Sequence, residues 1–368
     1  MSESKPALKR WAVVIVPVGL VFLLLYASNL DLGLLGSVLG GANWVFFVLA
    51  LGCVLGSVVC NTLSWQSLLR DQSIRVGFQR VFTLSWLGIF IDALIPGGWS
   101  GDIFKAYKLS KDMKVDAAKT TVPMVLKNIL ELLVTLGALI LGIVLLAVNY
   151  ALEGDVLLSV GSILFLLALP LLVTIGLSLH LGTTKRLIKG VKRVSAFVRR
   201  KEYSASERSG FEQKLQGQLE EFHDGILTMR TNPKNLLRPA FFQTLSCVFD
   251  VLALFMVFAA LGYIVSPDKV VITNTIVVGL QTQGVALFGL AQWVSSSIYT
   301  VLGITPLLAA ASSLLAGVAS FWFKMGVSFV AFQRTMLPLR RSVFSVTHGT
   351  FGSTGVGNGD LPMLANAG

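Results

Sequence analysis

Six stretches of this chain are apolar over about the length that the hydrocarbon core of a bilayer demands, and no other feature limits its fold as much. That core is about 30 Å thick and an α-helix rises about 1.5 Å per residue, so a span needs about 20 apolar residues. Runs of this order lie at 11–28, 43–66, 120–148, 156–180, 239–262 and 307–332, and shorter, broken runs at 80–95 and 270–290. With 54% hydrophobic and 13% charged residues and a mean hydropathy of +0.75, the sequence reads as an all-α integral membrane protein rather than as soluble domains. The first run follows Lys5, Lys9 and Arg10 as a signal peptide would. Tyr26-Ala27-Ser28-Asn29 is a poor cleavage site, so it reads as a retained span.

Lysine and arginine placement sets the orientation. The residues before 11 are basic, the loop at 29–42 has neither Lys nor Arg, and Arg70, Arg75 and Arg80 follow the second run, which places the amino terminus in the cytoplasm. Lys105, Lys108, Lys111, Lys114 and Lys119 lie beyond the broken run at 80–95, so both its flanks belong on the cytoplasmic side. The expectation is a re-entrant hairpin with Pro96-Gly97-Gly98 at its tip and about a dozen residues per arm, since proline and glycine crowd a turn least. A plainer alternative makes 80–95 an ordinary short span with the lysine helix outside. Arg334, Arg340 and Arg341 put the carboxyl end inside, which requires the region 270–304, with Gln281-Thr-Gln-Gly284 and Gln292, to turn back as well.

The pattern is six full spans plus two re-entrant helical hairpins in an inverted-repeat arrangement, a plan that places substrate sites near midplane. The expected organisation is a first membrane half over 1–182, including the re-entrant segment 80–108 and the span at 156–180. Cytoplasmic basic amphipathic helices follow over 183–238, then a second half over 239–338 and a disordered tail over 339–368. The basic stretch, with Lys185, Arg186, Lys189, Lys192 and Arg193 among apolar residues, would lie on anionic lipid or simply cap the bundle.

Cys53, Cys60 and Cys247 sit inside apolar runs, and His180, His223 and His348 are scattered without ligand spacing, so no metal site or cofactor is expected. No nucleotide-binding fingerprint or nucleophile motif occurs. The net charge of +11 is explained by cytoplasmic loops and headgroups without nucleic acid.

Charges within the spans cost about 2.5–3.5 kcal/mol each on insertion scales and so mark candidate sites. These are Asp92, Asp102, Lys105, Lys127, Glu131, Asp250 and Lys324. Lys127 and Glu131, four apart, can neutralise each other, and Asp250 and Lys324 can pair across helices. At Ser100-Gly101-Asp102 a helix restarts with its amino end in the membrane, where free N–H groups favour an anion, and Lys105 and Lys108 share one side of it. Pro96, Gly97, Gly98, Gly101, Asp102, Lys105 and Lys108 are therefore candidates for holding a lipid phosphate. The alternative has Ser100 as N-cap and Asp102 as a stabilising first-turn acid.

At these residues the sequence resembles the membrane region of lysylphosphatidylglycerol synthases and the flippase-like proteins related to it. The matching marks are Asn61-Thr-Leu-Ser-Trp65-Gln-Ser-Leu-Leu69, Ile95-Pro-Gly-Gly98 with Gly101-Asp102, Leu219-Glu-Glu-Phe222 through Asn232-Pro233, and Ala309-Ala310 with Lys324. It departs from that pattern at Lys127-Asn128, where an acidic-basic pair is usual, and at Gln281-Thr-Gln-Gly284, where Pro-Gly-Gly and Glu are usual. The resemblance implies a lipid translocase moving a phospholipid or polyprenyl-phosphate lipid, without a soluble catalytic domain and so not an enzyme. Two readings compete with it: an enzyme using Asp92 and Asp102 on a lipid-linked phosphate, and a scaffold for a glycosyltransferase. Expected partners are anionic membrane lipids, with a glycosyltransferase or a second copy of the chain as further candidates, in the cell membrane. Cysteines placed at Gly98, Lys111 and Ser297 test the topology: Lys111 should label from the cytoplasm, and labelling there from outside removes the hairpin.

Overall fold

The computed structural model describes residues 32–94, 100–115, 117–149, 234–282 and 289–335. The runs at 11–28 and 156–180, the tip Pro96-Gly97-Gly98, the amphipathic segment up to 233 and the tail 339–368 lie outside the described residues, as do Gln283 and Gly284.

Among the described residues the chain is helical, with no strand. The elements are α1 (Leu32–Gly40), α2 (Trp44–Asp71), α3 (Phe78–Leu94), α4 (Ser100–Met113), α5 (Ala117–Asn149), α6 (Lys234–Ala260), α7 (Pro267–Thr282), α8 (Leu290–Val301) and α9 (Pro306–Gly317). A π turn, Val318–Trp322, carries α9 onward to Thr335. Trp44–Asp71, Lys119–Gly142, Lys234–Ala260 and Pro306–Thr335 are long and apolar enough to cross a membrane, where the sequence placed runs at 43–66, 120–148, 239–262 and 307–332. The protein is a multi-pass membrane protein.

Helices α2 and α6 form the central pair, antiparallel along their full length. The Asn43 N–H donates to the Ala260 carbonyl at 2.7 Å. The hydroxyls of Ser57 and Ser246 lie 3.0 Å apart, and Ser64 Oγ donates to the Pro239 carbonyl at 2.9 Å. Lipid is as apolar as the helix surface, so such pairs rely on close approach of small residues and on buried hydrogen bonds. Ala50 and Val54 accordingly meet Ala253, Val257 and Ala260, with Leu315 and Ala319 of the α9 segment closing the cluster.

The loop expected at 29–42 contains a helix instead. Leu35 of α1 is buried against Ala310 and Ala311, so the apolar face of 32–40 is satisfied by packing on α9.

Helices α3 and α4 form an antiparallel hairpin. Asp92 lies beside Gly101, Gly88 beside Lys105, and Arg80 beside Asp112 and Met113. The lysine-bearing end of α4 therefore returns to the start of α3. The arms have 17 and 14 residues rather than a dozen. Ring contacts Phe78–Phe82 and Phe82–Trp86, at 5.4 and 5.9 Å, support the first turns of α3, and the Lys108–Asp112 pair supports the last turn of α4.

Helices α7 and α8 have 16 and 12 residues. Gln292 at the start of α8 touches Gly317 at the end of α9, and Tyr299 packs with Ala309, so α8 runs antiparallel to α9. The long helices exchange partners: α3 meets the α9 segment through Phe90 and Phe332, 4.8 Å between ring centres, and α7 meets α5 through Ile272 and Gly142.

A Cβ on Gly56 would come within 3.1 Å of the Phe249 ring, whereas one on Gly52 meets nothing within 4 Å. Gly56→Leu should therefore cost about 1–3 kcal/mol by overpacking the α2–α6 seam. Gly52→Leu should leave thermal unfolding in detergent unchanged; equal effects of the two would contradict this seam.

Candidate functional site

The first N–H groups of any helix lack partners within it. In α4 they are met by the hairpin: Asp92, in the last turn of α3, accepts from the Gly101 N–H at 2.6 Å and from Ser100 Oγ at 2.9 Å. Ser100 is thus a helical residue that donates its hydroxyl, not the accepting N-cap, because α3 brings a stronger acceptor to the same place. The closeness depends on Gly101, where a Cβ would collide with the Gly88 carbonyl and the Asp92 carboxylate. On the next turn Gly88 leaves room for the stem of Lys105, whose Cδ would lie 2.7 Å from a Cβ there.

Asp102 follows, 8% exposed and held from two sides. Lys105 Nζ lies 2.5 Å from its Oδ1, and Asn128 of α5 donates Nδ2–H to Oδ2 at 2.7 Å. The ammonium of Lys105 is also 5.5 Å from the Trp65 ring centre, within cation–π range. Lys127 Nζ reaches the Asn128 Oδ1 at 3.4 Å and pairs with Glu131 at 2.7 Å, as the four-residue spacing led one to expect. A continuous polar chain thus runs from Lys105 through Asp102, Asn128 and Lys127 to Glu131.

Its depth can be read along α5. Asn128 is nine positions past Lys119, about 13 Å at helical rise, within the apolar stretch Lys119–Gly142. Asp102, Lys105 and Lys127, all under 9% exposed, therefore lie well inside the bundle.

Lys108 does not join Lys105. One turn nearer the basic end, it pairs with Asp112 at 2.8 Å, and Arg80 of α3 reaches the same carboxylate at 3.3 Å. Partial burial pushes the Asp112 carboxyl up, but hydrogen bonds and charges from Lys108 and Arg80 prevail and hold it below the ordinary carboxylate range. A depressed carboxyl stabilises the fold above its unfolded pKa, about 3.9, and the contribution is lost as pH falls through the lower folded value.

The proposed pairing of Asp250 with Lys324 is not made. Among the described residues no ion pair within 4 Å involves either of them. Asp250 lies on α6 one turn beyond Ser246, whose hydroxyl is 3.0 Å from that of Ser57 on α2. Gln292 accepts from the Gly289 N–H at 3.0 Å and closes the first turn of α8. Among the described residues no group of three His, Cys, Asp or Glu is placed to hold a metal ion.

Three participants were not singled out as site residues: Asn128, Trp65 and Gly88. Asn128 was visible as a polar residue beside Lys127 inside an apolar run, and Trp65 as the aromatic end of such a run. Gly88, inside α3, gave no signal without the register of α4.

Removing one partner of a buried pair strands the other. Asp102→Asn should lower stability by about 3 kcal/mol or more, since Lys105 loses its counter-charge. Asp112→Asn, next to an Arg80 that is half exposed, should cost under about 1 kcal/mol. Chemical or thermal unfolding of both variants checks the difference, and equal losses would contradict a buried Asp102–Lys105 pair.

The sequence matches the family described as "Lysylphosphatidylglycerol synthase TM region" over residues 11–328, and the chain belongs to that family. It is similar to a UPF0104 membrane protein of Methanocaldococcus jannaschii, 24% identical over 342 residues that cover 90% of this chain and 96% of the relative. It is also similar to a UPF0104 membrane protein of Pyrococcus horikoshii, 20% identical over 324 residues, 86% of this chain and 94% of the relative.

Proposed function

We propose that this protein is a lipid translocase, passing a phospholipid or polyprenyl-phosphate lipid between leaflets along the polar face built by α3, α4 and α5. The observation that supports it most is the burial of Asp102, Lys105 and Lys127 deep in a bundle of apolar helices. Charge kept at such depth asks for a purpose.

The topology in this reading has six full spans and two re-entrant hairpins, α3–α4 and α7–α8, with both termini cytoplasmic. The two halves are inverted repeats. Favouring this are the similar arm lengths, the antiparallel α2–α6 pair, and the reciprocal packing in which each hairpin leans on the other half's long helix. An axis in the membrane plane between α2 and α6 generates that exchange.

A lipid phosphate entering the hairpin offers the oxygen acceptors that the carboxylates of Asp92, Asp102 and Asp112 supply at rest. It takes over Lys105, Lys108 and the Gly101 N–H while the carboxylates turn away, and Pro96, Gly97 and Gly98 let the backbone approach the headgroup. Exchanging one ion pair for another avoids leaving a buried lysine bare. The basic segment 183–238 gathers anionic lipid at the inner leaflet.

A second reading rests on the family description, which names the membrane region of a synthase. In it the chain is a platform for an enzyme, such as a glycosyltransferase, acting on lipid-linked phosphate, or works with a second copy of itself; co-purification of a catalytic partner favours it. An enzyme using Asp92 and Asp102 directly is less well supported, because one caps α4 and the other neutralises Lys105.

The test is movement of labelled lipid across liposomes holding the purified protein. Lys105→Gln should slow it at least about tenfold, equal to about 1.4 kcal/mol of barrier, and Lys111→Gln, at an exposed position, should not. Rates equal to protein-free liposomes, with and without an ion gradient, contradict the translocase reading.

A further inference from the structure

A buried donor without an acceptor gives up the bond it made with water and gains none in return, so each one asks for an explanation. The polar side chains around Trp65 on α2 find partners within the protein. Thr62 and Ser67 donate to the carbonyls of Val58 and Leu63, each at 2.8 Å, Ser64 to that of Pro239 at 2.9 Å and Gln66 to that of Val76 at 2.8 Å. The indole of Trp65, 1% exposed, does not: its Nε1–H is sealed from solvent and has no acceptor. The Lys105 ammonium stands over that same ring, 5.5 Å from its centre, where Gly88 makes room for the lysine stem.

We propose that Trp65 is a second donor to the lipid phosphate, its indole N–H taking one oxygen while the Lys105 ammonium holds another. The proposal rests on the translocase reading and adds to that site the residue that recognises phosphate. No covalent bond forms or breaks, and the proton stays on the indole nitrogen throughout.

At rest the seat is half filled. Asp102 has both oxygens engaged, Oδ1 by Lys105 and Oδ2 by Asn128 of α5, so it neutralises the ammonium and leaves the indole N–H bare. A phosphate carries more oxygens than a carboxylate and can face two donors that do not lie side by side. Two of its oxygens, with a hydrogen bond of about 2.8 Å at each, span about 8 Å. An ammonium 5.5 Å from the ring centre and a nitrogen on the edge of that ring fall within this span. Packing accounts for the ring itself, which joins Leu69, Leu84, Leu87 and Leu109 in one buried cluster, and leaves only the N–H unexplained. Because the indole nitrogen is a donor only, it serves an oxygen acceptor and gives nothing to an amine or a metal ion. A site with an unused buried donor discriminates sharply between a ligand that fills it and one that does not.

Proton–nitrogen magnetic resonance of the full chain in detergent micelles, with tryptophan alone isotope-labelled, reads this N–H directly. Trp65→Phe, or Trp65→Tyr should the first variant not fold, assigns the Trp65 signal by its loss. Short-chain phosphatidic acid should move that signal downfield, as a hydrogen bond to a charged oxygen does, whereas the matching diacylglycerol, which lacks the phosphate, should leave it in place. Lys105→Gln should abolish the movement. In folded Trp65→Phe the affinity for phosphatidic acid should fall about tenfold, with that for diacylglycerol unchanged. A Trp65 signal indifferent to phosphatidic acid, moved equally by diacylglycerol, or still moving in Lys105→Gln overturns the proposal. Movement by inorganic phosphate but not by phosphatidic acid overturns it as a lipid site. Lipid that crosses liposomes while the signal stays silent refutes the role of Trp65 and leaves the translocase reading standing. A signal that answers phosphatidic acid in a protein that moves no lipid does the reverse.

Discussion

Hydrocarbon offers no water to a polar group, so each N–H, carbonyl or charge at depth must find its partner within the protein. The α3–α4 hairpin meets that demand in a small space. Asp92 satisfies the start of α4, Asp102 neutralises Lys105, and Asn128 ties both to Lys127 and Glu131 on α5. Two glycines, Gly88 and Gly101, permit the approach, since a Cβ at either would push the arms apart. The polar chain and the hairpin that bears it are thus one structural solution.

Around it, the bundle is held by small residues rather than by a large apolar drive. The α2–α6 seam brings serine hydroxyls and Ala and Val side chains into contact, and the hairpins lean across it onto the opposite long helices. Such contacts fix orientation without welding the arms to their supports. In the proposed mechanism the movable parts are ion pairs that trade one oxygen for another, while the seam stays closed.

Much of the architecture was legible because span length and charge placement are physical necessities. The four long helices fall where apolar runs of sufficient length predicted them, and the break after Leu94 was marked by Pro96-Gly97-Gly98. The pairing of Lys127 with Glu131 followed from helical spacing alone. What could not be read required knowing which helix lies against which. Lys108 turned to Asp112 rather than toward Lys105 because Arg80, 32 positions earlier, shares that carboxylate. Asp250 and Lys324 were matched by sign, yet among the described residues neither makes an ion pair within 4 Å. The helix at 32–40 was hidden in a segment judged by its lack of charge, and only Ala310 and Ala311 of α9 give its apolar face a purpose.

The depth of the α3–α4 hairpin is the point on which the lipid pathway rests. An experimental density map of the protein in a lipid nanodisc measures it directly. The chain between Leu94 and Ser100 should lie near the bilayer centre, with water or headgroup density reaching Asp102 and Lys105. Density showing that turn at the far headgroup layer, with both arms crossing the hydrocarbon and lipid tails sealed around them, would contradict it.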